Sequence, residues 1–368
     1  MKIDRIELRL LRLPLVHFFE TSFGRINDRP FVLVRVEGSG EAGYAECVAG
    51  ADPYYSSETT QTAWHVLGDF LAPLVLGVDF AHPREVFPAL NPVRGHNMAK
   101  AALEMAAWDL YARGAGLPLW KVLGGERQTI ESGVSIGIQD SLAQLLDKVR
   151  TELAAGYRRI KIKIKPGWDL EAVKAVRAEF GDVPLMVDAN GAYRLEDAEH
   201  LAGLDEYHLM MIEQPLDYDD LLDHARLQRR LRTPICLDES IHTVRAAAAA
   251  IEMQACRIIN IKPGRVGGHR ESIRLHDLCA DRSIPVWHGG MLESGVGRAH
   301  NIHLSTLQNF RLPGDIAASE RYYAPDLIEP GIDVGSDGCI PVPSGPGIGV
   351  RIVAERVEQA TERRLILG

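Results

Sequence analysis

Short β-rich runs alternate with helical patterns through most of the chain beyond residue 128. A strand followed by a helix, repeated many times, predicts parallel strands joined by right-handed crossover helices. Eight such repeats predict an α/β fold of the closed (β/α)8 barrel type. The eight runs are SGVSIGI, RIKIKIK, PLMVDAN, LMMIEQP, PICLDES, IINIKPG, IPVWHGG and GDIAAS, and predicted helices such as DLEAVKAVRAEFG and HTVRAAAAAIEMQ lie between them.

The chain before residue 128 carries strand patterns followed by helical patterns. Residues 1–15 and 30–47 are predicted strands, the second broken by a Gly-rich turn. Residues 56–75 and 97–116 are predicted helices. Beyond Arg321 the alternation of strand and helix fails, so we expect this last segment to pack back on the first domain. We therefore divide the chain into an α+β domain, a barrel domain and a C-terminal segment, over residues 1–127, 128–321 and 322–368.

Composition and charge narrow the class of protein. The 368 residues are 46% hydrophobic and 25% charged, as in an ordinary globular protein, and no signal peptide or long apolar span is recognisable. A net charge of −9 argues against a nucleic-acid-binding protein, because neutralising phosphates requires a basic surface. The five scattered cysteines never form a CxxC pair, which favours a reducing cytoplasm. We also expect a homo-oligomer.

An ionisable residue ends each of five consecutive predicted strands. These residues are spaced 25, 25, 25 and 24 positions apart, one strand–helix unit each time. Equivalent positions of successive units lie at the same height of a barrel, on the rim where the strands end. That rim is where barrel enzymes place their catalytic groups. The five residues are Lys163, Asp188, Glu213, Asp238 and Lys262.

Three of the five rim residues are acids on adjacent strands. A single Asp at a strand end is equally well explained as a helix N-cap or a turn residue. Three converging carboxylates, however, repel one another unless a cation neutralises them. Ligands that are all oxygen atoms suit a hard divalent ion. No His or Cys residue, the types that zinc prefers, accompanies these acids. We therefore predict that Asp188, Glu213 and Asp238 bind Mg²⁺, for which Mn²⁺ or another divalent ion can substitute.

The stretch KIKIK places lysines on one face of a strand and isoleucines on the other. Considered alone, it is explained by an exposed strand whose lysines lie in water. Beside the acids, Lys163 on one flank and Lys262 on the other are placed to remove and return a proton next to a metal-bound carboxylate. A nearby Mg²⁺ and lysine neighbours disfavour the ammonium form, so we expect these lysines to lose a proton near neutral pH.

The order of these residues resembles the enolase superfamily and, within it, the muconate-lactonizing-enzyme subgroup. That subgroup has a KxK strand, then Asp, Glu and Asp on the next three strands, and a Lys on the strand after them. The motifs IEQP, PICLDES, NIKPGRVGG and GGMLESGVGR further resemble o-succinylbenzoate synthases and N-succinylamino acid racemases. The resemblance covers nearly the whole chain, and it implies a modified (β/α)7β-barrel with an α+β N-terminal capping domain.

The resemblance also implies roles for individual residues. Lys163 would be the base on one face of the substrate, and Lys262 the acid or base on the other, or a cation that stabilises the enediolate in a dehydration. Lys161 would lie near the substrate carboxylate and tune Lys163. Glu239 is expected to support the metal ligands from behind. The other substrate-lining positions are Phe23, in a mobile loop over residues 18–26 that should close over the mouth, and Ser135, Asn190, Gly290 and Met291.

The sequence indicates a functional role less clearly for three further polar residues. We interpret Lys165 as solvated, because it lies beyond the level of the catalytic groups. His288 could replace the His base of mandelate-racemase-like members, but their partner Asp is here Lys262, so a place in the pocket wall is favoured. Glu293 could orient a loop or cap a helix.

The implied reaction is the metal-dependent removal of a proton α to a carboxylate of a small molecule, through an enediolate. The resemblance favours a dehydration that forms o-succinylbenzoate in menaquinone biosynthesis, N-succinylamino acid racemisation, or both. A dipeptide epimerase and a muconate cycloisomerase are alternatives, although GGMLES and GDIAAS supply no acidic DxD-like clamp for a substrate ammonium. A Schiff-base lysine aldolase and a non-enzymatic metal-binding barrel are alternatives from other classes.

Overall fold

The computed structural model describes residues 1–368. Its first three strands pair antiparallel and are β1 (Arg5–Thr21), β2 (Gly24–Gly38) and β3 (Glu41–Cys47), which confirms the predicted strands. The β1–β2 pair extends to a hairpin tip at Ser22 and Phe23, so the predicted loop over residues 18–26 is the end of a hairpin. Its pairing is irregular between Pro14 and Phe19, where proline has no N–H to donate.

One long helix dominates the rest of the first domain. The helices are α1 (Thr60–Val66), a π-helical turn (Leu67–Leu71), α2 (Ala72–Val75), α3 (Val86–Leu90), α4 (Asn97–Gly114) and α5 (Leu119–Leu123), which confirms both predicted helices. Helix α4 is buried along nearly its whole length, because it lies between the sheet and the barrel. None of the helices in the molecule is both long and apolar enough to cross a lipid bilayer.

A second sheet of parallel strands, paired in chain order, confirms the predicted α/β architecture. After the short strand β4 (Thr129–Glu131) it contains β5 (Val134–Ile136), β6 (Ile160–Lys163), β7 (Leu185–Asp188), β8 (Ile212–Glu213), β9 (Ile235–Leu237), β10 (Ile258–Ile261) and β11 (Val286–His288). The helices around it are α6 (Leu142–Ala154), α7 (Leu170–Phe180), α8 (Ala198–Ala202), α9 (Leu221–Gln228), α10 (Val244–Glu252), α11 (Pro263–Val266), α12 (His269–Asp281) and α13 (Gly295–Leu304). Short 3-10 turns cover Pro83–Glu85, Leu195–Asp197, Gly203–Tyr207 and Ser319–Arg321.

The eighth predicted strand, GDIAAS, does not form a regular strand. Only isolated bridges join this region to its neighbours, Phe310 to Val286 on one side and Gly314 to Ser132 on the other. Asp315 still donates its backbone N–H to the carbonyl of His288 at 2.8 Å. The ladder cannot extend further, because Pro313 lacks an N–H and a 3-10 turn begins at Ser319. Seven regular strands and this short bridging segment therefore make up the barrel.

The C-terminal segment returns to the first domain. It contains β12 (Ile328–Glu329), β13 (Cys339–Pro341), β14 (Arg351–Ile352), α14 (Ala354–Ala360) and β15 (Thr361–Leu367). Strand β13 pairs with β4, and β15 pairs antiparallel with β1 as the fourth strand of the first sheet. The last residues of the chain thus complete the sheet that the first residues begin. The exact boundaries at residues 127 and 321 stay predictions.

Buried carboxylates of the first domain bind the N-terminal ends of two barrel helices. Oε2 of Glu46 accepts the N–H groups of Ser294 at 3.1 Å and Gly297 at 3.3 Å, at the start of α13. Oε2 of Glu104 accepts the N–H of His269 at 2.8 Å, at the start of α12. The first N–H groups of a helix have no partner within the helix, so an acceptor from a neighbouring domain satisfies them. These contacts fix the first domain over one end of the barrel.

Glu46 makes the stability of this junction depend on pH. Burial raises the pKa of Glu46 to about 8, from an ordinary value of 4.5. Between these values the unfolded chain releases the proton while the folded chain keeps it, so this group destabilises the fold progressively as pH rises through that window. We predict that Glu46→Gln removes the effect. In thermal denaturation, the melting temperature of the variant minus that of the wild type should increase between about pH 6 and about pH 8 and stay constant at higher pH.

Glu7→Gln is the matched control, because Glu7 is a buried acid with the opposite shift. Burial acts to raise the pKa of Glu7, but hydrogen bonds from Arg9 and Arg364 outweigh it and the pKa is lowered. Its folded and unfolded forms are both ionised above about pH 6, so the melting difference for this variant should be constant there. A difference for Glu46→Gln that is equally constant would contradict the prediction.

Candidate active site

The five rim residues predicted from the sequence lie together where neighbouring strands end. Lys163 and Asp188 are cross-strand partners in β6 and β7, and Asp188 partners Glu213 in β8. Asp238 directly follows β9, and Lys262 directly follows β10. All five are almost completely buried, with 0 to 7% of their surface exposed. The barrel therefore gathers them at one end, beneath the first domain.

Two of the three lysines of KIKIK point into this end of the barrel. Nζ of Lys161 lies 2.9 Å from Oε2 of Glu213, and Nζ of Lys163 lies 2.6 Å from Oδ2 of Asp188. The side chain of Lys165, beyond the strand, is 40% exposed. The exposed-strand explanation is therefore wrong for Lys161 and Lys163, whereas Lys165 is partly solvated, with its Nζ 3.4 Å from Oε1 of Glu20.

Lys262 reaches the acids from the opposite flank of the sheet. Its Nζ lies 2.7 Å from Oδ2 of Asp238 and 3.1 Å from the hydroxyl of Tyr55, a residue of the first domain. The Tyr55 hydroxyl donates to Oδ1 of Asp238 at 3.0 Å, and Arg265 pairs with the same carboxylate. Each flank of the row of acids thus has its own lysine.

Nearby carboxylates shift the pKa values of two lysines. Burial acts to lower the pKa of Lys161, but the nearby carboxylates, Asp315 foremost, raise it well above its ordinary value. Burial likewise acts to lower the pKa of Lys262, and the charges of Tyr55 and Glu213 outweigh it, so this pKa is also raised. The expected loss of a proton near neutral pH, which concerns Lys163 and Lys262 beside a bound Mg²⁺, stays a prediction.

The predicted metal ligands have the donor chemistry of a hard divalent cation, because Asp188, Glu213 and Asp238 offer carboxylate oxygens only. No three acidic, histidine or cysteine side chains converge on a common point in the structure, since lysine and arginine side chains reach between the carboxylates. Burial and the charge of Asp188 raise the pKa of Glu213. The oxygen donors therefore suit a divalent metal ion in their chemistry, whereas the predicted convergence of the three carboxylates on one point is not observed.

A cavity of about 250 Å³ lies between the first domain and the rim, with Lys163 and Lys262 in its wall. Phe23, at the hairpin tip, borders it and is 41% exposed. An adjoining pocket of about 50 Å³ reaches Lys161. The predicted substrate-lining residues all border one or both spaces: Phe23, Asn190, Gly290, Met291 and Ser135.

Ser135 and Asn190 differ in how their polar atoms are engaged. Oγ of Ser135 is buried and has no hydrogen-bond partner, so it is available to a substrate. Oδ1 of Asn190 accepts from Nζ of Lys163 at 2.7 Å, while its Nδ2 donates to Oε1 of Glu239 at 2.8 Å. Glu239 therefore supports Lys163 through Asn190. Burial, followed by the charge of Asp188, raises the pKa of Glu239 to about 7.

His288 lies outside the active-site spaces, whereas Glu293 borders the inner pocket. On β11, Trp287 packs inside the barrel, so His288 faces outward, where its ring stacks on Phe310 with centroids 5.9 Å apart. His288 borders neither space of the active site, and the expected pocket-wall position is not observed. Glu293 accepts the N–H of Met291 at 2.9 Å and so orients the loop after β11, as one interpretation predicted.

Two family models match the chain across both parts of this architecture. The model of the mandelate racemase/muconate lactonizing enzyme N-terminal domain matches residues 5–124, and that of the enolase C-terminal domain-like fold matches residues 144–357. The chain belongs to the enolase superfamily. The predicted family, and the barrel with its capping domain, are thereby confirmed.

Individual relatives resemble this enolase-superfamily enzyme over its full length. An o-succinylbenzoate synthase from Geobacillus kaustophilus is 53% identical over 363 residues, which cover 98% of this chain and 96% of that protein. An N-succinylamino acid racemase from Thermus thermophilus is 52% identical over 361 residues, 98% of each chain. The crystal structure of an enolase-superfamily member from Listeria innocua has a TM-score of 0.96 at 39% identity, covering 100% of this chain and 99% of that one.

The sequence analysis missed three side chains that contact the predicted residues of this superfamily member. Tyr55 comes from the capping domain, and no motif links it to a barrel strand. Arg265 lies in the motif NIKPGR, one helical turn after Lys262. Asp315 lies in the eighth run, about two strand–helix units after Lys262, so the spacing rule could have found it. It pairs with Lys161 at 2.5 Å.

The donor set predicts that the protein, after treatment with EDTA, binds Mn²⁺ and that Glu213→Gln weakens this binding by at least about 100-fold, because a ligand is lost. Electron paramagnetic resonance of free Mn²⁺ measures the dissociation constant. Glu293→Gln is the control, since Glu293 borders the inner pocket but bonds to its own loop. Wild-type affinity in Glu213→Gln would contradict the assignment.

Proposed function

We propose that this enzyme removes a proton α to a carboxylate, and that its reaction is the syn-dehydration of 2-succinyl-6-hydroxycyclohexadiene carboxylate to o-succinylbenzoate. We propose N-succinylamino acid racemisation as a second activity. One observation carries the proposal: Lys163 and Lys262 border one cavity from opposite flanks of three buried acids. The names of the relatives from Geobacillus kaustophilus and Thermus thermophilus support these two substrate classes.

Asp188, Glu213 and Asp238 would hold the divalent ion, with Mg²⁺ as the natural choice for carboxylate ligands. When bound, the ion supplies positive charge that stabilises the negative charge of the enediolate. The protein's own contribution is to exclude water, because all three carboxylates are 0 to 1% exposed beneath the capping domain. In such a site each electrostatic contact is stronger than in water.

The two lysines act on opposite faces of the substrate. Lys163, held by Asp188 and Asn190, is positioned to take the α-proton with its Nζ. Lys262, on the opposite flank, would in its ammonium form deliver a proton to the other face in a racemisation. In the dehydration it need only face the enediolate as a cation. The free hydroxyl of Ser135, beside Lys161 in the inner pocket, suits a substrate carboxylate or carbonyl.

The cavity wall favours an apolar ring or side chain beside the reacting carbon. Phe19, Ile26 and Leu292 line it together with Phe23 and Met291. The carboxylate of Asp315, the acid of the eighth predicted strand, is engaged by lysine and arginine and so is not free to hold the ammonium group of a dipeptide substrate. We further propose that the enzyme serves menaquinone biosynthesis as a cytoplasmic homo-oligomer, with a capping domain over residues 1–127, a barrel over 128–321 and a C-terminal segment over 322–368.

Exchange of the α-proton in D₂O tests the roles of the lysines. With N-succinylamino acids and Mg²⁺ or Mn²⁺, Lys163→Ala and Lys262→Ala should each lose racemisation by roughly 10³-fold, the usual contribution of a general acid or base, and should keep exchange only with the enantiomer whose α-proton faces the remaining lysine. Lys165→Ala, just beyond the strand and partly solvated, should keep wild-type rates. Exchange of both enantiomers in either active-site variant would contradict two-base chemistry.

A parallel assay with the cyclohexadiene substrate separates dehydration from racemisation. EDTA should abolish both activities, and Mn²⁺ should restore them, because the enediolate needs the cation. Full activity in EDTA, together with borohydride trapping of substrate on a lysine, would instead indicate a Schiff-base mechanism.

A further inference from the structure

Lys161 stands between three carboxylates, and only one of them is outside the proposed metal ligands. Its Nζ lies 2.5 Å from Oδ2 of Asp315, 2.9 Å from Oε2 of Glu213 and 3.4 Å from Oδ2 of Asp188. Asp315 is therefore its nearest partner. It is also the partner that has no proposed role toward a metal ion or a substrate.

Asp315 is itself held rigidly in place. Its Oδ1 accepts from Nη1 of Arg159 at 2.7 Å, and Arg159 is 1% exposed. Nη2 of the same arginine donates to the carbonyl of Pro313 at 2.8 Å, while the Asp315 N–H bonds to β11. The carboxylate thus has one oxygen for Arg159 and one for Lys161, and the backbone on either side is fixed.

An ammonium group close to a carboxylate competes with a metal ion for the same oxygen atoms. Two proposed ligands, Asp188 and Glu213, lie within ion-pair distance of Lys161. If Asp315 were neutral, these two acids would be the only remaining counter-charges within that distance. Lys161 would then bind them more tightly, and a divalent cation would have to displace it.

We propose that Asp315 is a positioning residue that draws Lys161 away from Asp188 and Glu213, leaving their oxygens available to the divalent cation. The eighth segment of the barrel thereby tunes the affinity of a site that the third to fifth strands build. This inference rests on the proposed function, because it takes those acids to be metal ligands. Nothing in it requires Asp315 to contact the metal ion or the substrate.

A double-mutant cycle on Mn²⁺ binding tests the proposal without measuring activity. The EDTA-treated wild type is compared with Asp315→Asn, Lys161→Met and the double variant by electron paramagnetic resonance of free Mn²⁺. Asp315→Asn should raise the dissociation constant by about 10-fold, as for other residues that support metal ligands from behind. In the Lys161→Met background the same change should alter it by less than about 3-fold, because the competitor is gone.

The outcomes separate this proposal from the metal assignment. A wild type that binds no Mn²⁺ would overturn the metal site of the proposed function. A wild type that binds, with Asp315→Asn unchanged, would overturn the role of Asp315 alone. An equal loss in both backgrounds would do the same, because a direct electrostatic or structural effect does not need Lys161.

Two further variants guard against an effect of misfolding. Asp205→Asn removes another buried acid, which bonds to Thr233 in the loop before β9, and should leave Mn²⁺ affinity unchanged. Should Asp315→Asn fail to fold, Lys161→Met decides the matter by itself. It should bind Mn²⁺ at least as tightly as the wild type, and weaker binding would overturn the proposal.

Discussion

Mutual neutralisation of buried charges is the constraint on which the rest of this structure depends. Acids and bases alternate around one end of the barrel, each within about 3 Å of an opposite charge, and almost none contacts water. A single buried ion without a partner would cost several kcal/mol. Several members have more than one partner, as Lys161 and Asp238 do, so the removal of one charge shifts the balance among those that remain. Such an arrangement also keeps the lysines aimed before any substrate arrives.

The capping domain contributes to this balance as well as covering the cavity. Tyr55 contributes a hydroxyl that touches both Lys262 and Asp238, so one reacting flank is completed only when the two domains are docked. Docking in turn relies on Glu46 and Glu104 at the ends of barrel helices. The active site is thus complete only when polar contacts hold the two domains together. The hairpin tip also borders the cavity, with Thr21, Phe23 and Arg25 in its wall.

The parts of this molecule that could be predicted from the sequence are those that a local rule governs. The length of a strand–helix unit determines which residues share a height on the barrel, so Lys163, Asp188 and Glu213 could be placed from spacing alone. Contacts between domains have no such rule, and Tyr55 was missed for that reason. The prediction of a regular eighth strand was wrong. The residue pattern of GDIAAS is that of a strand, but the preceding proline and the following turn limit its hydrogen bonds.

The acid that holds each lysine is the other point that could not be predicted from the sequence. The pKa of a buried lysine depends on the distances to every neighbouring carboxylate, and these distances follow from tertiary structure. Asp315, which the sequence analysis passed over, is the foremost of the charges that raise the pKa of Lys161. Spacing located the lysines correctly and could not reveal which acid would hold each one.

The pairing of β15 with β1 has a consequence for how the protein is made. The whole barrel domain lies in sequence between β1 and the strand that covers one of its edges. While the barrel is translated, that edge of β1 therefore exposes unpaired backbone groups, the feature by which β-edges recruit other chains. The sheet of the capping domain can be completed only after the whole barrel has been synthesised.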